Sequence, residues 1–488
     1  MNSTRYREFL LILFYLTLVS VPLSIEWFSP RLHVGLTIVS EPLMVITMGV
    51  LALGLLLGQL PWPTKYTRLD LLIAAHFGVL LLATAWSSDR LVSTKYYLSI
   101  TLYMLVGYGI PKVLQLSGRE WRRAGAAFAL GTGLLTAYIL ARHLQQGFSF
   151  SLSYTIALPF SANGHTNFTV QLEWLILAAC LMLLGCQWAQ AGGRRLLVAT
   201  VLTATLMVVA FSFSRASYCS LLVQAGLLLV YANGAALRRL LLVWGAAALI
   251  IAGAWQVLTH FYDNASLRNT TILREMTSVQ DFTRDLYAEA KPIATGATEA
   301  PAAAPQAGGA AQATPPAAPP APATPINDSN VERLSRWKYC VQLFREMPML
   351  GVGPGTFPDR YLDYVERTPS HPIYLDTHKR MNAHNLYLNW MAEAGALGLI
   401  TGVLLLVYSI WPLVRQMLRR PMPVLTLGLL AYYAFFLMHS LAQDFWQEPR
   451  VIVMFWLVMA WQHRYLWPRA SAASQDAAAA EPVHQLAG

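Results

Sequence analysis

Runs of roughly 20 apolar residues, the length that crosses a hydrocarbon core about 30 Å thick, recur along almost the whole chain. They fall at 9–25, 36–60, 69–85, 97–113, 124–140, 170–186, 196–213, 218–231, 240–258, 385–411, 424–439 and 451–467. This pattern predicts an all-α polytopic membrane protein with about twelve transmembrane helices. The stretch 196–231 carries a single charge, Arg215, over roughly 36 residues. That is too long for one crossing, so it reads as two helices joined by a tight turn at the arginine. The expected organisation is nine helices in 1–259, a loop domain in 260–383, three helices in 384–469 and a disordered tail in 470–488.

Composition and charge sharpen this picture. Of the 488 residues 56% are hydrophobic and only 12% charged, with a mean hydropathy of +0.43, whereas soluble domains carry about a quarter charged residues. A net charge of +10 could suggest nucleic acid, but its distribution argues for membrane orientation instead. Links after even-numbered runs, with both tails, hold most of the cations, among them Arg5, Arg7, Arg68, Lys112, Arg119, Arg194, Arg238 and Arg415. The short odd-numbered links hold only Arg31, Arg90, Lys95, Arg142, Arg215 and Arg450. By the positive-inside rule both termini are expected in the cytoplasm and 260–383 outside it. The first run lacks an A-x-A-like cleavage pattern and reads as a retained helix rather than a signal peptide.

The long outer link has its own division. Residues 291–325 are almost wholly Ala, Pro, Gly and Thr, too little apolar surface to offset the entropy of ordering, and are expected to be disordered. Ser329-Asn330-Val331-Glu332 is a capping-box pattern, and Leu334, Trp337, Val341 and Phe344 follow at helical spacing. A helix is expected to run to about Glu346, before Pro348. Gly351-Val352-Gly353-Pro354-Gly355 then suits a tight turn. Its amides could form a phosphate nest, but without a strand-to-helix context the plain turn is the expectation. Cys180, Cys186, Cys219 and Cys340 show no metal-ligand spacing; a Cys219–Cys340 disulfide is conceivable outside the cytoplasm, with nothing further to support it.

Ionisable groups in or beside membrane helices are functional candidates because they are costly there. Arg215 sits at the expected outer membrane face, where its guanidinium fork matches phosphate oxygens two at a time; a helix-end anchor that snorkels to the interface is the other reading. Arg336, beside Trp337, and Arg142, at the outer end of the fifth run, could converge on the same face or be ordinary surface charge. His384 stands where the outer link meets the tenth helix. A partly apolar setting there would lower its pKa and keep it neutral, able to accept a proton. Glu393 lies nine positions further along, about 13 Å by helical rise and on another face, so a direct pair with His384 is not expected. Asp359 and Asp363 read as a solvated face, and no clustered acidic motif points to a metal.

In this order, Arg215, the Arg336-Trp337 helix, Pro348-Met349-Leu350-Gly351-Val352-Gly353-Pro354-Gly355-Thr356-Phe357, His384-Asn385-Leu386-Tyr387-Leu388 and Glu393-Ala394-Gly395-Ala396-Leu397-Gly398 resemble the O-antigen ligase family, WaaL. O-antigen polymerases and protein O-oligosaccharyltransferases share the loop pattern, and the Ala/Pro insert departs from the usual compact loop. The resemblance implies a GT-C-like glycosyltransferase of the bacterial inner membrane. It implies an undecaprenyl-diphosphate-linked O-antigen donor, a lipid A-core acceptor and a membrane-lipid setting, with no cofactor, metal or nucleic acid. His384 would act as base, and Arg215, Arg336 and Arg142 would hold the donor diphosphate. A chelator is accordingly expected to leave transfer intact; loss of turnover in EDTA, restored by a divalent ion, would overturn that expectation. A transporter or flippase is the alternative of another class. It would call for internal repeats and midplane charges on several helices, whereas the candidate charges gather at the outer face.

Overall fold

The computed structural model describes residues 3–29, 34–63, 66–146, 155–160, 165–185, 192–212, 214–231, 234–261, 329–367, 382–417 and 423–466. The expected disordered segments 291–325 and 470–488 lie outside the described residues.

A helix occupies each of the apolar runs. In chain order these are α1 (Ser3–Ser20), α2 (Ser40–Leu56), α3 (Arg68–Ala85), α4 (Arg90–Leu114), α5 (Gly118–Gln146), α6 (His165–Gly185), α7 (Gly192–Ala210), α8 (Arg215–Tyr231) and α9 (Gly234–Phe261). Among the described residues two helices follow before the next apolar run, α10 (Ser329–Glu346) and α11 (Phe357–Glu366), then α12 (Leu386–Met417), α13 (Val424–Ser440) and α14 (Pro449–Leu466). Five of them, α3, α4, α5, α7 and α12, are long and apolar enough to cross a membrane, and α2, α13 and the central parts of α6, α8 and α9 are shorter apolar helices. Large apolar side chains face outward on most of these, among them Leu56, Leu71, Leu91, Leu222 and Leu249. A water-soluble bundle would bury them; a bilayer accepts them. The fold is that of a polytopic helical membrane protein.

The all-α expectation needs one correction. Between α1 and α2 the chain forms an antiparallel hairpin, β1 (Ile25–Ser29) with β2 (Val34–Ile38), in the register Ile25 opposite Ile38 and Ser29 opposite Val34. The β-branched and aromatic residues Ile25, Trp27, Phe28, Val34, Thr37 and Ile38 suit a strand, so the second apolar run opens as strand and turns helical only at Ser40.

Helices approach closely where side chains are small. A Cβ on Gly131 of α5 would lie 2.3 Å from the Val19 carbonyl oxygen at the end of α1, and one on Gly107 of α4 would lie 2.6 Å from the Val453 carbonyl of α14. These are the close backbone approaches on which helix association in lipid depends. The pairs that matter for the site are α8 with α13, α13 with α6, α3 with α12 and α10 with α12.

Candidate functional site

The glycine-rich segment between α10 and α11 is laid against α12 by backbone pairing. Val352 N–H donates to the Ala392 carbonyl (3.1 Å) and Gly353 N–H to that of Glu393 (2.9 Å); in return Ala396 N–H donates to the Pro348 carbonyl (2.8 Å). This exchange requires α12 to open. Gly395 breaks it at φ 66°, ψ −161°, a conformation essentially reserved for glycine. A Cβ on Gly395 would stand 2.4 Å from the Met349 carbonyl carbon, and one on Gly351 would stand 2.4 Å from the Glu393 carbonyl carbon. The two glycines therefore allow two stretches of backbone to meet. On its other side the segment meets the link between α3 and α4, where Ser88 N–H and Oγ donate to the Val352 carbonyl at 3.2 and 3.1 Å.

The amides of this segment point inward. Glu393, 3% exposed, collects Phe357 N–H at 3.0 Å and Gly355 N–H on its carboxylate, while Gly353 bonds its backbone carbonyl. The turn is thus a structural one, with these N–H groups already spent on α12. Beneath it Tyr339, Cys340, Leu343, Val352, Phe357, Tyr361, Val365, Ala383 and Ala392 form a small apolar core. Cys180, Cys219 and Cys340 are free thiols, Cys340 buried and its thiol pushed up by that burial.

His384 lies at the edge of this core. Its φ is 48°, an uncommon conformation for a side-chain-bearing residue and one found at functional positions. Two contacts hold the strained turn: Asn382 Oδ1 accepts the His384 N–H at 3.0 Å, and Asn385 Oδ1 accepts the N–H groups of Tyr387 (3.1 Å) and Leu388 (3.0 Å), capping α12. The Gln443 side chain hydrogen-bonds the imidazole, and Nδ1 meets no partner among the described residues. Burial, with the Arg336 and Arg333 cations nearby, lowers the imidazole to about 3. It is therefore neutral at physiological pH, the direction the sequence suggested.

Arg336 comes to the same place from α10. It is 3% exposed and donates to the Asn382 carbonyl at 3.3 Å, and its neighbour Trp337 donates to the Ala383 carbonyl at 3.1 Å. The α10 helix thus grips the two residues that precede His384. Arg215 opens α8; its side chain lies outside the described residues. Arg142 is placed differently. Its guanidinium donates to the Leu158 carbonyl at 2.6 Å and the Thr155 carbonyl at 3.3 Å, shaping the turn at 155–160.

Two carboxyl groups that sequence reasoning did not join complete the site. Asn389 Nδ2 donates both to Glu393 Oε2 (3.0 Å) and to Asp444 Oδ2 (2.8 Å), and all three residues are buried. Asp444 sits in the link between α13 and α14, where burial pushes it up to about 7 against the opposing Trp446 N–H bond. The signal available in the sequence was an acidic residue beside the aromatic pair Phe445-Trp446 in a short link between two apolar runs. Because one carboxamide serves both acids, Asn389→Leu is expected to lower stability by about 3 kcal/mol, read as a fall in the unfolding midpoint of the detergent-solubilised protein. An unchanged midpoint would show that the acids find other donors.

The fold and these groups define a helical membrane protein whose polar site, built around a neutral histidine, a buried arginine and two buried acids, lies at one end of its helices. Residues 198–401, less than half of the chain, match the family model described as O-Antigen ligase, which supports a relation of this part of the chain to the O-antigen ligase and polymerase superfamily. The match takes in Arg215, Arg336, His384, Glu393 and Gly395, and leaves Arg142 and Asp444 outside. Comparison with curated proteins returns no match.

Proposed function

We propose that the protein is an O-antigen ligase, moving O-antigen polysaccharide from undecaprenyl diphosphate to a sugar hydroxyl of lipid A core at the periplasmic face of the bacterial inner membrane. In this reading twelve helices cross the membrane, both termini are cytoplasmic and 260–383 is periplasmic. The observation that carries it is the seat of His384, whose Nδ1 has no partner among the described residues and lies within the field of a buried Arg336. Cleaving the bond between an anomeric carbon and a diphosphate develops negative charge on the leaving group, which preorganised guanidinium groups in a poorly hydrated site stabilise. Arg336 and Arg215 take that role, with Arg142 at the rim. His384 accepts the proton of the acceptor hydroxyl as it attacks. Direct displacement inverts the anomeric configuration without a covalent sugar intermediate and without a metal.

Donor binding should also tune the base. Burial, with the nearby cations, holds the imidazole near 3; the anionic diphosphate offsets the cations' share, so the imidazole pKa rises in the complex. The acid limb of kcat, which reports the complex, is expected to lie at least about one pH unit above that of kcat/KM, which reports free enzyme. Coincident limbs would remove His384 from the electrostatic reach of the donor.

The deciding experiment supplies purified protein with lipid-linked O-antigen and, separately, lipid A core. Product on lipid A core supports the ligase reading. Lengthening of the donor glycan instead, or transfer only to a protein hydroxyl, would replace it with the polymerase or protein-transferase reading of the same superfamily.

A further inference from the structure

A second polar cluster lies inside the helices, away from His384. Glu173 of α6 is fully buried, and both of its carboxylate oxygens are taken up by neighbouring helices. Oε1 pairs with His439 Nε2 of α13 at 2.7 Å. Oε2 accepts from Ser220 Oγ and, at 3.3 Å, from Gln224 Nε2, both on α8. One turn nearer the start of α8, Ser217 Oγ donates to Thr169 Oγ1 of α6 at 2.8 Å and lies 3.0 Å from Ser214 Oγ, within hydrogen-bond distance. A ladder of hydroxyls thus climbs the α6–α8 contact from Glu173 towards Arg215, which stands five residues or about 7.5 Å of rise before Ser220.

The other arm of the cluster leads to the opposite half of the site. His439 lies in the last turn of α13, and two residues later the Leu441 carbonyl accepts Asn385 Nδ2 at 3.1 Å, beside His384. Three residues further on, Asp444 receives Asn389. Glu173 therefore stands at the junction of two lines of contact, one ending at Ser214, next to Arg215 in the chain, and the other at the seat of His384. A carboxylate at this depth is expensive and is kept where its partners are fixed. Apolar packing holds α6, α8 and α13 together, and a carboxylate bonded to each neighbour adds a directional constraint on their axial register.

We infer that Glu173 and His439 are positioning residues, which set the separation between the arginine that receives the donor diphosphate and the histidine that receives the acceptor proton. The inference rests on the proposed roles of Arg215 and His384. Misplacement of reacting groups by about 1 Å can cost about 100-fold in rate, so Glu173→Leu and Glu173→Gln are each expected to lower kcat by about 10- to 100-fold, with KM for the lipid-linked donor within about two-fold of wild type.

A purely stabilising pair makes a different prediction. Replacing both partners of a buried pair by apolar groups commonly restores stability, so the double variant Glu173→Leu/His439→Leu should recover the unfolding midpoint lost in Glu173→Leu. If kcat recovers with it, the pair only stabilises and the inference falls. If the midpoint recovers and kcat stays low, positioning stands. A distance measurement judges the same point without turnover. Spin labels on the exposed Cys219 of α8 and on Leu441→Cys, at a half-exposed position after α13, with the other cysteines replaced by alanine, should give one narrow distance in wild type. The distribution should broaden in both Glu173 variants and in the double variant, and an unchanged narrow distribution would overturn the inference. Failure of the ligase reading shows separately, as a wild type that transfers nothing to lipid A core while the distance result is unaffected.

Discussion

His384→Ala is expected to reduce glycan transfer by about 10²–10⁴-fold, the usual contribution of a positioned general base, with little change in fold. The imidazole contributes one bond, to Gln443, and the turn around it is held by backbone groups and by Asn382 and Asn385. Removing the ring therefore takes away the proton acceptor and leaves its seat. Donor binding should survive, since the Asn382 carbonyl holds the guanidinium of Arg336. The check is single-turnover transfer together with donor affinity. Loss confined to kcat supports the base, whereas a variant that transfers at more than about a tenth of the wild-type rate would show that another group takes the proton.

The largest structural effect is expected from Gly395→Ala. The added Cβ meets the Met349 carbonyl carbon and oxygen, each at 2.4 Å, and these are backbone atoms that no rotamer change can move aside. The residue would also have to hold φ 66° with ψ −161°, a region that costs other residues about 1–3 kcal/mol by itself. Relief comes only by straightening α12, which would separate Val352 and Gly353 from their acceptor carbonyls and withdraw Glu393 from the 355–357 amides. A loss of about 3 kcal/mol or more, with activity falling alongside, is expected. Gly49→Ala on α2, where a Cβ meets nothing within 4 Å, serves as the comparison. Limited proteolysis between α10 and α12 would reveal the released segment, and a Gly395→Ala protein as resistant as wild type would contradict the account.

What the sequence discloses here follows from the range of the forces involved. Apolar runs and a capping pattern are local, and helices appear at each run and from Ser329 to Glu346. The hairpin escaped because its β-branched residues adjoin a helical run of the same hydropathy. His384 and Arg336 were legible as candidates, and the structure brings them together; their common anchor, the chain at Asn382–Ala383, was not, since it depends on how α10 folds back. Asp444 and Glu393 lie far apart along the chain, and only the packed fold shows that Asn389 joins them. Glu173 was within reach of sequence reasoning: an acid inside the run 170–186 is as unusual as Arg215, and the packed fold gives it His439 as a partner.

The break at Gly395 also shifts where the protein can be cut. Hydropathy places the end of the outer link at residue 383, yet the first two turns of α12, through Ala394, supply Ala392 to the small core and Glu393 to the glycine-rich turn. They serve the link's folded unit on one face, while Leu386, Trp390 and Ala394 pack into the main helical core on the other. A fragment ending at 383 would carry α10 and α11 with an open apolar face and unpaired amides. One extended to about residue 397 would retain the partners on which those helices fold, and Gly395 supplies a natural bend at which the remainder of the helix could be replaced by solvent.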